Sequence, residues 1–341
     1  MDKKQGLFFD VLNIVTLAAI SYISAFTGSE YSLVVLISAS VAAAVFTMVT
    51  ENKSVLYLMF GFVCFIFACF IGNSDINAEN CFDVILRALD LYLPAFAISL
   101  CFRRKNADTP STVAYASMAN IIVLLLSLAK IKFYNNIDLH KQLESVFNEI
   151  INQYSELISS NSALIGINPT MLSKSLETAK QALIMMLPSL MIIASMVCAY
   201  FVIVVSRSLI NVHSRSQALS IEYFADLHID NKLCKVSIVL LVIALFSENL
   251  YLTAGIYNFL AVAVAIYFAD GLAIVNYIAF SKTNNRPLSL LITVAVAVAA
   301  FTTVATLPIF NGMTILFLLG VLDSGRDFRK IMKARWKDEQ K

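Results

Sequence analysis

Residues 255–281 read GIYNFLAVAVAIYFADGLAIVNYIAFS, an apolar stretch in which Asp270 is the single charged residue. A helix needs about 20 apolar residues to cross roughly 30 Å of hydrocarbon, so this stretch is long enough to span a bilayer. Within hydrocarbon, a lone segment can pair all of its backbone N–H and C=O groups only as a helix. The stretch therefore predicts a transmembrane helix, and it sets the fold class of the chain.

Similar apolar stretches recur along the 341 residues, of which 59% are hydrophobic and only 14% are charged, with a mean hydropathy of +0.77. Soluble chains are about a quarter charged. The other candidate spans are 6–26, 32–50, Ser54–Gly72, Cys81–Phe102, 112–131, 181–206, 233–249, 288–305 and 309–322. We therefore predict an all-α, polytopic membrane protein with about ten transmembrane helices.

Charged residues are sorted between alternate loops. With the N-terminus inside, the inner set is Lys3, Lys4, Lys53, Arg103, Arg104, Lys105, Arg207, Arg215, Lys232, Lys235, Lys282, Arg286 and the basic tail 326–341. The short outer loops carry acidic residues instead, namely Glu30, Asp75, Glu79 and Glu248. Basic loops stay in the cytoplasm, so we expect a multi-pass protein of the cell membrane with both termini cytoplasmic.

A hydrophilic segment, 132–180, separates a five-helix region at 1–131 from a second five-helix region at 181–325. Apolar residues recur there at three- and four-residue intervals after Asp138, which predicts an amphipathic helix capped by that residue. Asn168 and Pro169 predict the start of a second helix that continues into the next span. This extracytoplasmic hairpin fits either a lid on the bundle or an element that binds a ligand or partner.

The sequence carries no signature of a standard enzyme. It has no glycine-rich loop ending in Lys-Ser or Lys-Thr, no HExxH and no GxSxG. His140, His213 and His228 lack metal-ligand spacing, so no metal site is expected, and no cofactor is indicated. A net charge of +2, from 25 basic and 23 acidic residues, also argues against nucleic-acid binding.

Ionisable residues within spans are the remaining candidates for function, because they are costly in lipid and usually face a bundle interior or a cavity. Asp83, Arg87 and Asp90 lie on one face of a predicted helix, where Arg87 can pair with either carboxylate. Pro94 follows one turn later. This arrangement suits a substrate pocket or gate, and it equally suits a structural clasp between helices.

Asp270 has no basic neighbour within its own predicted helix, and Asn258 lies more than one turn earlier in the same helix. One interpretation is a neutral, hydrogen-bonded carboxyl group in the core. The other is a site for a cation, proton or amine. We predict a small-molecule pocket among the spans, with Arg87, Asp90, Asp270 and Asn258 as its substrate-binding residues and with no catalytic residue.

The second half of the chain resembles the YybS-like predicted membrane proteins, a bacterial family of unknown function. Three stretches carry the resemblance: Leu187 and Pro188 through Ser195 to Arg207, the sequence Asp270-Gly271-Leu272-Ala273, and the ending Gly320-Val321-Leu322-Asp323-Ser324-Gly325-Arg326-Asp327-Phe328-Arg329-Lys330. At this ending, Gly325 and Arg326 replace the bulky aromatic residues expected for the family.

The family is remotely similar to the substrate-capturing membrane subunits of energy-coupling factor vitamin transporters. That resemblance implies a binding subunit that works with an energising partner. In that group a small-residue motif in the first span docks the coupling subunit, whereas this chain offers only Ser21 and Ala25 there. Docking of that kind is therefore not expected.

Two functions follow from these observations. The first is a membrane-embedded component that binds or transports a small molecule, with energy from a protein partner or an ion gradient. The second is a non-transporting scaffold in envelope maintenance, division or sporulation, in which the outer hairpin and the basic tail recruit partners. An intramembrane enzyme ranks third, because it would need Asp90 and Asp270 within catalytic reach of each other.

Overall fold

In a computed structural model, the described residues are 54–72, 78–102, 109–165, 169–213, 224–302, 311–326 and 328–331, with helical positions Val15, Leu17, Ser40, Val41 and Ala44. The helices are α1 (Ser54–Gly72), α2 (Ala78–Phe102), α3 (Thr109–Phe133), α4 (Leu139–Ile165), α5 (Pro169–His213), α6 (Asn231–Phe246), α7 (Leu250–Thr283), α8 (Arg286–Thr302) and α9 (Gly312–Arg326), with a 3₁₀ helix at Phe224–Asp226. Residues 328–331 are also helical. No strand occurs among these described residues.

Apolar length marks four of these helices as able to cross a membrane: Cys81–Phe102, Thr109–Phe133, Lys174–Ser206 and Leu250–Thr283. Leu56–Phe70 and Arg286–Thr302 are apolar but shorter. The all-α class is thus confirmed for the described residues, and four helices have the length and composition to cross a membrane, while the total of about ten spans stays a prediction. The predicted spans 6–26 and 32–50, including Ser21 and Ala25, lie outside the described residues except for the isolated helical positions.

The predicted helical hairpin forms where the sequence places it. Asp138 caps α4, because its Oδ1 accepts hydrogen bonds from the backbone N–H groups of His140 at 3.1 Å and Lys141 at 3.4 Å. Helix α5 begins at Pro169 and continues without a break to His213. The cap predicted at Asp138 and the helix start predicted at Pro169 are therefore correct, whereas the predicted cap Asn168 lies outside the described residues and the side of the membrane on which the hairpin lies stays a prediction.

The chain forms two compact units, of which the first comprises Met1–Lys130 and Ala194–Glu222. Its core includes the packing of α1 on α2, where Phe62 and Phe65 meet the ring of Tyr92 edge to face. A second apolar cluster joins Val41, Ile98, Val113, Ala116, Ala199, Val202 and Ile203. Burial of apolar and aromatic surface therefore stabilises this unit. The predicted regions 1–131, 132–180, 181–325 and 326–341 concern sides of the membrane and stay predictions.

The second unit comprises Ile131–Ile193 and Tyr223–Lys341, and α7 is its central helix, packed against α6, α8, α9 and the 3₁₀ helix. Helices α7 and α9 cross in backbone contact. A Cβ on Gly271 would lie 2.0 Å from the carbonyl oxygen of Leu316, and a Cβ on Gly320 would lie 2.0 Å from that of Tyr267. Only glycine fits at both positions, so these two residues set the distance between the helices.

Candidate functional site

The crossing of α7 and α9 brings two carboxylates into the interior of the second unit. Asp270 precedes Gly271 on α7, and Asp323 lies one turn after Gly320 on α9. Both aspartate side chains are 0% exposed. Because burial of an unpaired charge is very costly, each carboxylate needs a cationic or hydrogen-bonding partner.

Arg329 supplies that partner from the segment that follows α9. Its Nη2 lies 2.5 Å from Asp270 Oδ1 and 2.5 Å from Asp323 Oδ2, and its Nε donates to Asp323 Oδ2 at 3.0 Å. The arginine itself is only 7% exposed. The guanidinium thus bridges two helices that are distant in sequence.

The remaining nitrogen of the guanidinium, Nη1, contacts the loop before α6. It donates to the backbone carbonyl of Ala225 at 3.0 Å and also to that of Leu227. A guanidinium has five N–H donors, and the contacts to the two aspartates and the two carbonyls account for all five. We call Asp270, Asp323, Arg329 and the nearby His228 the tail cluster.

Asp323 uses its two oxygens differently. Oδ1 accepts a hydrogen bond from the backbone N–H of Phe328 at 2.8 Å and so holds the start of the helical turn 328–331. Oδ2 faces the guanidinium and lies 3.3 Å from Nδ1 of His228. The His228 side chain is 39% exposed, so it lies between the buried carboxylates and solvent.

The tail cluster carries an excess of negative charge. Burial lowers the pKa of Arg329, but the hydrogen bond with Asp323 and the charge of Asp270 raise it above its ordinary value, so the guanidinium stays cationic. Two ionised carboxylates and one guanidinium leave a net charge of −1. Asp270 Oδ2, which is buried, has no hydrogen-bond partner among the described residues.

Asn258, predicted to bind substrate, bonds two backbone groups of the neighbouring helix α5. Pro188 interrupts the hydrogen bonding of α5, where the N–H of Ser189 would normally bond the carbonyl of Met185, one turn earlier. The Asn258 amide stands between these groups: Oδ1 accepts from Ser189 N–H at 3.0 Å, and Nδ2 donates to the Met185 carbonyl at 2.8 Å. A protein side chain, rather than a ligand, thus satisfies the freed backbone groups.

The other predicted residues, Arg87 and Asp90, lie at exposed positions of α2 in the first unit. Among the described residues, Asp83 pairs with Lys130 of α3, at 2.5 Å between Oδ1 and Nζ, rather than with Arg87. Asn258 and Asp270 are 12 residues apart on α7, or about 18 Å along the helix. One pocket shared by all four predicted residues stays a prediction, and Asp270 alone belongs to the tail cluster.

Sequence reasoning missed three members of the cluster. Arg329 was assigned to a basic tail, Asp323 was noted only within a family-like ending, and His228 was treated as isolated. One signal was present in the sequence. Asp323 is followed closely by an Asp-Phe-Arg-Lys stretch, so a single turn of the chain can bring that arginine back to the carboxylate. Nothing in the spacing, however, could connect that turn to Asp270, 59 residues away in the chain.

The family described as "Predicted membrane protein (DUF2232)" matches residues 76–323, which is more than half of the chain. The match includes His228, Asp270 and Asp323, and Arg329 lies beyond it. No curated protein and no solved structure is significantly similar to the chain.

Proposed function

We propose a function for this chain, which belongs to the DUF2232 family of predicted membrane proteins. It is a membrane-embedded component that binds or transports a small molecule. The observation that carries this proposal is the tail cluster. Asp270 lies within the apolar helix Leu250–Thr283 and is fully buried, and ionisable residues in such helices commonly mark the path or site of a polar solute. The excess negative charge of the tail cluster favours a cationic ligand.

The proposed setting is the cell membrane with both termini in the cytoplasm, as the loop charges indicate. In that orientation α7 runs inward, and His228, Asp323 and Arg329 lie towards its cytoplasmic end. The site therefore opens to the cytoplasm through the half-exposed ring of His228. We propose a binding or transport role without catalysis, energised by a protein partner or an ion gradient.

Ligand-dependent thermal stabilisation of the purified, full-length protein tests this function. A ligand at 100 times its Kd stabilises the folded state by about 2.7 kcal/mol, which is readily measured as a rise in Tm. We expect at least one member of a panel of amines, vitamins and metal ions to raise the Tm, and we expect Asp270→Asn to remove that rise.

A control and a negative outcome complete this test. Glu248→Gln, an exposed acid next to the start of α7, should retain the full ligand response. If no ligand in the panel changes the Tm of the wild-type protein, or if Asp270→Asn responds as the wild type does, the proposal is wrong.

A second candidate is the non-transporting scaffold, which the hairpin favours. Val146 and Ile150, one turn apart on α4, are 50% and 43% exposed, a surface that another protein could cover. Deletion of residues 137–168 should then abolish capture of partner proteins while leaving ligand-dependent stabilisation intact. Loss of the ligand response with unchanged partner capture would reject the scaffold.

A further inference from the structure

We propose that His228, Asp270 and Asp323 form a binding site for a divalent transition-metal cation, and that Arg329 is an internal cation which the metal displaces. The inference rests on the proposed function, because it names the ligand class of the same cluster. One donor atom from each of the three residues lies within 4.8 Å of the other two. The structure thus brings together an imidazole and two carboxylates from three separate segments.

The donor set indicates the class of metal. Imidazole nitrogen and carboxylate oxygen together suit Mn²⁺, Fe²⁺, Co²⁺ and Zn²⁺ rather than Mg²⁺ or Ca²⁺, which prefer oxygen ligands alone. Metal–ligand bonds of about 2.0–2.2 Å in a tetrahedral site place the donor atoms about 3.3–3.6 Å apart. Side-chain rotation would have to close the widest separation between the three donors by about 1 Å to reach that spacing.

An unpartnered atom points independently to a missing ligand. Asp270 Oδ2 is buried and makes no hydrogen bond to the described residues, although Oδ1 of the same carboxylate is paired with Arg329. Buried carboxylate oxygens are normally satisfied. The guanidinium, already bonded through all five donors, has none left for this oxygen.

Charge balance favours a divalent cation over the arginine. With Arg329 in place, two ionised carboxylates and one guanidinium leave a net charge of −1. With a divalent ion in its place and the arginine moved to solvent, the cluster is neutral. A neutral cluster is the cheaper one to bury, and a monovalent amine would leave the same −1 as the guanidinium.

The location of Arg329 makes the exchange feasible. It lies in the helical turn 328–331, outside the crossing of α7 and α9, so it can leave the cluster without unpacking that crossing. Asp323 could bind a metal through Oδ2 while Oδ1 still caps Phe328. The half-exposed ring of His228 gives an ion access from solvent.

Metal binding to the full-length protein with Arg329→Gln tests the proposal directly. In the wild type, only the molecules in which Arg329 has left the site can bind metal, and the apparent affinity is lowered by that fraction. The variant should therefore bind Mn²⁺ on the order of tenfold more tightly than the wild type. Titration after chelator treatment, followed by the electron paramagnetic resonance signal of Mn²⁺, measures this. Arg326→Gln, which removes an exposed arginine from the end of α9, should bind as the wild type does.

A second readout uses the wild-type protein and is independent of how well the variant folds. Bound Zn²⁺ should raise the Tm of the wild-type protein, and Asp270→Asn should abolish the rise. If Zn²⁺ leaves the Tm unchanged, and folded Arg329→Gln binds none of Mn²⁺, Co²⁺ and Zn²⁺, the cluster is a clasp and the metal site is wrong.

The outcome can be separated from failure of the proposed function. If metals do not bind but another solute raises the Tm in a manner that depends on Asp270, only the metal site is rejected. If no solute of any class acts through Asp270, both are rejected.

Discussion

Asp83 and Asp323 each pair with a basic residue from another segment, but their surroundings differ. Asp83 bonds Lys130 through one contact, and its side chain is 44% exposed. Asp323 is fully buried and bonds Arg329 twice, and it also contacts His228 and the backbone of Phe328. The comparison shows that the spacing of charges along a helix does not reveal which pair lies in a site. Burial and contacts from distant segments distinguish them.

The same substitution in the two regions should give the largest contrast. Asp323→Asn replaces a carboxylate that accepts through both oxygens with an amide that has one acceptor oxygen, so we expect it to lower the free energy of unfolding by about 3 kcal/mol. Asparagine can still accept the N–H of Phe328, so the loss reflects the broken hydrogen bonds to Arg329. Unfolding in mixed micelles measures the effect, and a loss no greater than that of Asp83→Asn would contradict the comparison.

The glycine crossing that supports the cluster gives the next largest effect. Gly271→Ala places a methyl group against the backbone of Leu316, so we expect a loss of about 1–3 kcal/mol and weaker ligand response. Gly255→Ala is the matched control on α7, because nothing lies within 4 Å of its Cβ position. That control should be neutral or should stabilise by up to about 1 kcal/mol. Equal effects of the two changes would show that close approach at Gly271 is unimportant.

The hydrogen bonds from Asn258 to the backbone of α5 can be tested by substitution. Asn258→Ala leaves the opened turn of α5 without its bridging amide, so we expect a loss of about 1–2 kcal/mol of stability. In a Pro188→Ala background, the helix can close its own hydrogen bonds and the loss should shrink. A double-mutant cycle measures this coupling. Additive losses would mean that Asn258 acts apart from the proline.

Asp83→Asn should have the smallest effect. The pair with Lys130 is partly exposed, and such pairs contribute about 0.2–1 kcal/mol. The expected change in unfolding free energy is therefore below about 1 kcal/mol, and the ligand response of the second unit should be unaffected. A loss above 2 kcal/mol on the same scale would place Asp83 in a buried network.

Local patterns were enough to predict much of this fold. Apolar length predicted the helices around 81–102, 181–206 and 255–281, and the N-cap at Asp138 and the start at Pro169 were located to the residue. These features depend on neighbours within one or two turns. The helical class and these two helix starts were therefore readable from the sequence.

The candidate site was only partly predictable, because it depends on tertiary contacts. Asp270 was selected as a lone acid in an apolar helix, which is a local property. Arg329 and His228 became its neighbours only through the crossing at Gly271 and Gly320, which joins segments far apart in sequence. In the same way, Asp83 contacts Lys130 of α3, a neighbour that the spacing of charges within α2 could not indicate.

The length of α5 has a mechanical consequence. Its 45 residues extend about 68 Å, more than twice the roughly 30 Å thickness of a hydrocarbon core. A long helix would ordinarily bend at a proline such as Pro188, but the carboxamide of Asn258 on α7 bridges the backbone groups there. Removal of the Asn258 carboxamide is therefore expected to make Pro188 a point at which α5 can bend.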